Sequence, residues 1–141
     1  MLYSALTVSN YIIAYSNSKD YFVTNLKLQK LLYFVQVYFL LDTGLPCFPD
    51  KVEACPFGAV IPEVYKHYIT RGNYDLYAKD EGWMCEDVRK RVRDVVDLFS
   101  DYTNPDLADL IFNQTPYIEA EISDDKVITF ESLLRYFKSD V

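Results

Sequence analysis

The sequence predicts a mainly α fold: a compact, single-domain helical bundle around a buried central helix, about Asn25 to Leu41, with a short extended segment near Val52 to Cys55. Three observations predict it. The run from Thr24 to Leu41 is the densest apolar segment of the chain and holds no Gly or Pro. Other apolar residues recur at the three-and-four spacing that stacks side chains on one helix face: Val8, Tyr11, Ile12 and Tyr15, then Val88, Val92, Val95 and Val96, then Phe130, Leu133, Leu134 and Phe137. Residues 45–61, by contrast, lose that period and carry Pro46, Pro49, Pro56 and Gly58.

Each element has local signals. Ser4 is placed to cap a first helix that ends near Tyr15, and Ser16-Asn17-Ser18-Lys19-Asp20 reads as its break. In the central helix Leu28, Leu31, Leu32, Val35, Tyr38 and Phe39 form the core stripe. A second stripe, Gln29, Tyr33, Gln36 and Leu40, is mixed in polarity, and Lys27 and Lys30 are the only charges before Asp42. Thr24 or Asn25 caps this helix, and Gly44 with Pro46 ends it. Pro62 suits a first helical position, where a missing N–H costs nothing, and Glu63 sits at the positive end of the helix dipole. That third helix is expected to reach Gly72. Residues 73–85 have no clean period and read as loop. The helix around Val88 to Phe99 has basic residues early and acidic ones late, an order that opposes its dipole. Asn104-Pro105 starts another helix, Thr115-Pro116 a brief turn of helix, and Thr129 caps the last one after the polar turn Asp124-Asp125-Lys126.

With 141 residues, 50% hydrophobic and 25% charged, the chain can bury a real core and is not a disordered one. Its 13 Tyr and 9 Phe suit a contact surface, since Tyr offers large rigid area with a polar tip. The net charge of −7 repels a phosphate backbone, so no direct nucleic-acid partner is expected. That charge is uneven. Arg89, Lys90, Arg91 and Arg93 cluster, whereas no Lys or Arg lies between Arg93 and Lys126, a gap that holds nine carboxylates able to steer a protein partner. Lys27, Gln29, Lys30 and Gln36 make the central helix a poor membrane span, and the N-terminus lacks the basic and apolar regions of a secretory signal. A cytoplasmic location without membrane attachment is the expectation. Cys47, Cys55 and Cys85 have neither metal-motif nor disulfide-framework spacing.

Catalytic chemistry finds few candidates. His67 is the one histidine, four residues after Glu63 on the third helix, and no further ligand or nucleophile pattern accompanies the pair. Gly44, Gly58, Gly72 and Gly82 stand singly, which leaves no phosphate-cradling loop. The residues argue for a protein that is not an enzyme and takes no cofactor.

Two strings carry a resemblance: Thr24-Asn25-Leu26-Lys27-Leu28-Gln29-Lys30-Leu31-Leu32-Tyr33-Phe34-Val35-Gln36, and Glu53-Ala54-Cys55-Pro56-Phe57-Gly58-Ala59-Val60-Ile61-Pro62-Glu63-Val64-Tyr65. Together they resemble the Panacea domain of SocA-like antitoxins and phage-associated GepA-like proteins, from Ala5 to Phe137. Cys55, Ala59, Asn113 and Tyr117 depart from the residues common there. The resemblance implies a bacterial antitoxin that neutralises a cognate toxin by direct protein contact. It leaves two alternatives, an adaptor delivering a toxin to a cytosolic protease and a phage or mobile-element factor that inhibits a host defence protein. A homo-oligomer stays open as well. Asn25, Leu28, Gln29, Lys30, Tyr33, Gln36, Phe57, Gly58, Pro62, Glu63 and Tyr65 are the motif residues expected to bind the partner or to build the scaffold that does. Gln29, Tyr33 and Gln36 are expected to hydrogen-bond the crossing around Phe57 and Gly58, and so to set how Tyr65 is presented.

Overall fold

The computed structural model, which describes residues 3–79 and 83–138, begins with a helix started by Ser4. Its hydroxyl accepts the Thr7 amide at 3.2 Å, and α1 runs Ala5–Ser18. The break predicted at Ser16 falls later. Ser18 Oγ donates to Tyr15 O at 2.6 Å, and Asn17 bridges Leu76 O and the Ala78 amide at 3.1 Å each, so the chain turns away only at Asp20, with φ 59°.

Thr24 then starts α2, Asn25–Thr43, by accepting the Lys27 amide at 3.3 Å. Gly44 closes the helix at φ 76°, a conformation that a side chain would strain. Of the 19 residues 13 are buried, so the polar stripe is as enclosed as the apolar one. Leu28, Leu31 and Leu32 are each at most 1% exposed, and burial of each contributes about 2 kcal/mol. Tyr38, expected in the core, is 37% exposed at the edge of Phe99.

The extended segment is present as β1, Val52–Cys55, and two further strands complete a small sheet that periodicity did not reveal. β2, Gly58–Val60, and β3, Val127–Ile128, flank β1 antiparallel in the order β2-β1-β3, with Glu53 opposite both Val60 and Val127. Strands of three and two residues are too short to show alternation.

Pro62 opens α3, Pro62–His67. This helix is shorter than expected. Tyr68 donates its hydroxyl to Asn10 Oδ1 at 3.1 Å and leaves helical geometry, and a 3-10 turn at Ile69–Arg71 follows before Gly72. Residues 73–79 and 83–85 form the predicted loop; the rest of that loop, Asp80 to Gly82, lies outside the described residues.

α4, Glu86–Leu98, starts earlier than expected and carries Glu86 and Asp87 in its first turn, which favours its dipole there, while its last turn has no basic residue and keeps the late acid Asp97 that the sequence predicted. Arg93 pairs with Glu86 at 2.5 Å and Arg91 with Asp42 at 2.9 Å, while the late acid Asp97 accepts the hydroxyls of Tyr15 and Tyr21 at 2.8–3.0 Å. α5, Asn104–Phe112, is capped by Thr103 in a reciprocal box with Asp106 rather than by Asn104. α6 spans Thr115–Ile122. In α7, Phe130–Lys138, Thr129 Oγ1 accepts the Ser132 amide at 3.1 Å, as a cap does.

α2 packs against α1, α3, α4, α5, α7 and β2, which places it at the centre of one contiguous apolar core. The fold is mainly α around a buried helix. No helix among the described residues is long and apolar enough to cross a membrane.

Candidate functional site

Polar side chains inside such a core are costly unless each finds a partner, and α2 buries Asn25, Gln29, Lys30, Tyr33 and Gln36. Gln29 solves this toward the N-terminus of α3. Its Oε1 accepts the Ile61 amide at 2.8 Å, its Nε2 donates to Asn25 Oδ1 at 2.9 Å, and Asn25 Nδ2 donates to Tyr65 O at 3.1 Å. Two α2 side chains thus hold both ends of the turn that starts α3. Gln36, two turns on, pairs as a strand would: Nε2 donates to Phe48 O and Oε1 accepts the Cys47 amide, each at 2.7 Å. Tyr33 lies between them and donates its hydroxyl to Gln114 Oε1 at 2.5 Å.

The expected bonds from these residues to Phe57 and Gly58 are therefore corrected. Gln29, Tyr33 and Gln36 reach Ile61, Gln114 and Phe48, because their positions on the helix point toward three separate chain segments. The motif residue under the hairpin turn is Lys30. Its ammonium donates to Leu26 O at 3.2 Å, lies 5.9 Å from the Phe57 ring centroid, and is held below its usual pKa by burial. Gly58 has φ 126°, and a Cβ there would stand 3.4 Å from Lys30 Cε. Phe57 meets Tyr65 with ring centroids 5.9 Å apart, so Phe57 and Tyr65 form one aromatic pair beside the turn.

Leu28 is fully buried packing, and Pro62 starts α3. Glu63 is exposed and pairs with Lys66 at 3.3 Å, a contact worth little in water. His67 rests edge-on against Tyr68, and the structure does not join it to Glu63. Among the described residues no group of three or more His, Cys, Asp and Glu is placed to hold a metal. All three cysteines are free thiols; burial pushes Cys47 up to about 12 and raises Cys55, whose Sγ contacts Gly58 O at 3.0 Å.

Gln114 was not singled out by its sequence context, since a lone Gln before Thr115-Pro116 has no distinctive spacing. Tyr117 and Cys55 meet: Tyr117 donates its hydroxyl to Cys55 O at 2.6 Å. Burial and the neighbouring Glu121 push the Tyr117 phenol up to about 12, so it stays a donor. Between the β1–β2 turn and α6 lies a groove of about 530 Å³ whose lining includes Pro56, Phe112, Ile118, Glu121 and Ile122.

The family description "Antitoxin SocA-like, Panacea domain" matches residues 28–118, from inside α2 to the middle of α6. The antitoxin SocA of Caulobacter vibrioides (strain NA1000 / CB15N) is 40% identical over 68 residues, 48% of this chain and 36% of that protein. The chain thus spans about a third of that relative's length. No solved structure gives a significant match. The family match holds α2 from Leu28 onward, the hairpin, α3 and the Gln114 and Tyr117 contacts in one continuous stretch, and the chain belongs to the SocA-like antitoxin family of Panacea domains.

Proposed function

We propose that the chain is a single-domain, cytoplasmic antitoxin that neutralises a cognate toxin by direct binding. The observation that supports this most is the use of the motif in α2. Its buried polar groups are spent on backbone of the chain's own turns, with Gln29 and Asn25 on α3 and Gln36 on the segment before β1. Such groups shape a rigid face for a partner rather than act on a small molecule. Outside them, the Phe57–Tyr65 pair offers aromatic area whose rotamers are already restrained, the kind of anchor that carries binding energy. The named motif residues are scaffold and face, with no cofactor or reaction in this reading.

Co-expression with the product of the adjacent reading frame tests it. Growth arrest by that product alone, relieved by this chain, together with copurification of the two, is the expected result. Relief that depends on a cytosolic protease and lowers toxin levels would instead assign the adaptor role, and no relief would remove the antitoxin reading.

A further inference from the structure

We propose that the buried ammonium of Lys30 takes a side-chain carboxylate of the partner protein as its counter-ion, beside the Phe57–Tyr65 pair; taking that partner to be the toxin rests on the reading above. Lys30 is 2% exposed. A lysine so enclosed is ordinarily paired, because taking a charge out of water is costly unless an opposite charge meets it.

Within the chain no opposite charge does. Among the described residues no Asp or Glu forms an ion pair with Lys30. Lys27, the other cation of α2, has the Asp101 carboxylate close enough to favour its charge, whereas the titratable neighbour of Lys30 is the Cys55 thiol, which burial keeps neutral. One of the three ammonium N–H groups is spent, at 3.2 Å, on Leu26 O. That oxygen belongs to the residue four positions back, where the helix already directs the Lys30 amide, so the bond serves the ammonium more than the fold. The Phe57 ring, its centroid 5.9 Å away, adds a weak attraction. Two donors and a full positive charge are left for a group the chain does not supply.

Reach and chemistry narrow that group. Phe57 is 36% exposed at the hairpin turn, which puts the ammonium one ring below the surface. The unbranched stem of Lys30 lets the ammonium leave Leu26 O and swing outward past that ring while Phe57 stays against Tyr65. A carboxylate oxygen fits one compact charge with two donors to give. A phosphate carries further charge, and the hairpin from Val52 to Val60 holds no Lys or Arg to neutralise it. The aromatic pair then packs on the stem of the incoming Asp or Glu, so that charge and apolar contact coincide.

The test compares wild type with Lys30→Met, which keeps the stem and removes the charge. No acceptor is orphaned and a buried charge is lost, so the thermal unfolding midpoint of the chain alone is expected to hold or rise. Affinity for the product of the adjacent reading frame is expected to fall at least about tenfold. Lys90→Met, the same change at an exposed position of α4, is expected to leave that affinity unchanged. When each Asp and Glu of that product is changed to its amide, one change is expected to weaken binding to wild type and add nothing in Lys30→Met, as two halves of one pair must. A lowered midpoint or an undiminished affinity in Lys30→Met, an equal loss in Lys90→Met, or a scan in which no carboxylate couples to Lys30 overturns the proposal. So does inorganic phosphate that raises the midpoint of wild type but not of Lys30→Met, which assigns the site to a free anion, and so does self-association lost in Lys30→Met, which assigns it to a second copy. In co-expression, a wild-type chain that fails to relieve the toxin removes the antitoxin reading and, with it, the toxin as the source of the carboxylate. A wild-type chain that does relieve it, matched by an equally effective Lys30→Met, overturns the Lys30 site alone.

Discussion

Tyr33 in the middle of α2 donates its hydroxyl at 2.5 Å to Gln114, 81 positions further along, where α5 ends and α6 begins. The bond joins the central helix to the start of α6, which lines the groove beside the β1–β2 turn together with Pro56 and Phe112. Removing it tests whether a buried motif residue controls a distant surface.

Tyr33→Phe keeps the ring, its edge contact with Phe34 and its burial, and deletes only the hydroxyl. Gln114 is half-buried and recovers water in part, so the expected loss is about 1 kcal/mol in urea unfolding. Gln114→Ala in the same background is expected to add little beyond that loss, because the two residues share one interaction.

Gln36→Leu strands the Cys47 amide and the Phe48 carbonyl in a region where both residues are at most 1% exposed. Two buried groups left without partners cost roughly 3 kcal/mol together. Amide exchange at Cys47 is expected to accelerate beyond what the global loss explains. Gln29→Leu is expected to show the same pattern at Ile61, since its Oε1 accepts that amide at 2.8 Å.

Gly58→Ala is expected to destabilise by about 1–2 kcal/mol, read as a lower denaturation midpoint. The cause is backbone strain at φ 126° rather than collision, because the nearest atom to a Cβ, Lys30 Cε, is at an ordinary 3.4 Å. Lys30→Met in the same chain therefore does not rescue the loss.

Alkaline pH is expected to unfold the protein. Cys47, Tyr33 and Tyr117 all have pKa values pushed above their ordinary 9.0, 10.0 and 10.0, chiefly by burial, and so are weaker acids in the fold. Groups with raised folded pKa values contribute stability that is complete below the unfolded value and lost as pH climbs through the folded one. The decline starts near pH 9.0 at Cys47, and it continues toward about 12, where Cys47 and Tyr117 titrate in the fold. Lys27 and Lys30 act in the opposite sense, since burial lowers both and stability rises until they are neutral in the unfolded chain at about 10.5. Above 10.5 only the losses remain. Unfolding midpoints under reducing conditions should fall steeply there, and Cys47→Val should delay the onset.

What was legible followed from short-range physics. The start of α2 at Thr24 and its end at Gly44 rest on a hydroxyl that accepts an amide three residues on and on a residue free to take positive φ. The same holds for Ser4 and Thr129. The strings that carry the family resemblance were legible for a different reason, as they are contiguous. Errors arose where a distant contact overrode local preference. Asn17 met the loop at Leu76 and extended α1, and Tyr68 met Asn10 and cut α3 short.

The amino-acid order alone settled that a greasy, uninterrupted helix would lie at the centre, because hydrophobic burial depends on composition along the helix and its caps are local. It could not settle which backbone groups Gln29, Tyr33 and Gln36 would satisfy. Their partners lie 32, 81 and 12 positions away, brought into reach only by the path on which the chain returns. The groove beside α6 belongs to that second kind of information. Ile118, Ile122 and Pro56 become one surface only when the hairpin and α6 are closed together, and that closure is set by tertiary contacts between Tyr117 and Cys55.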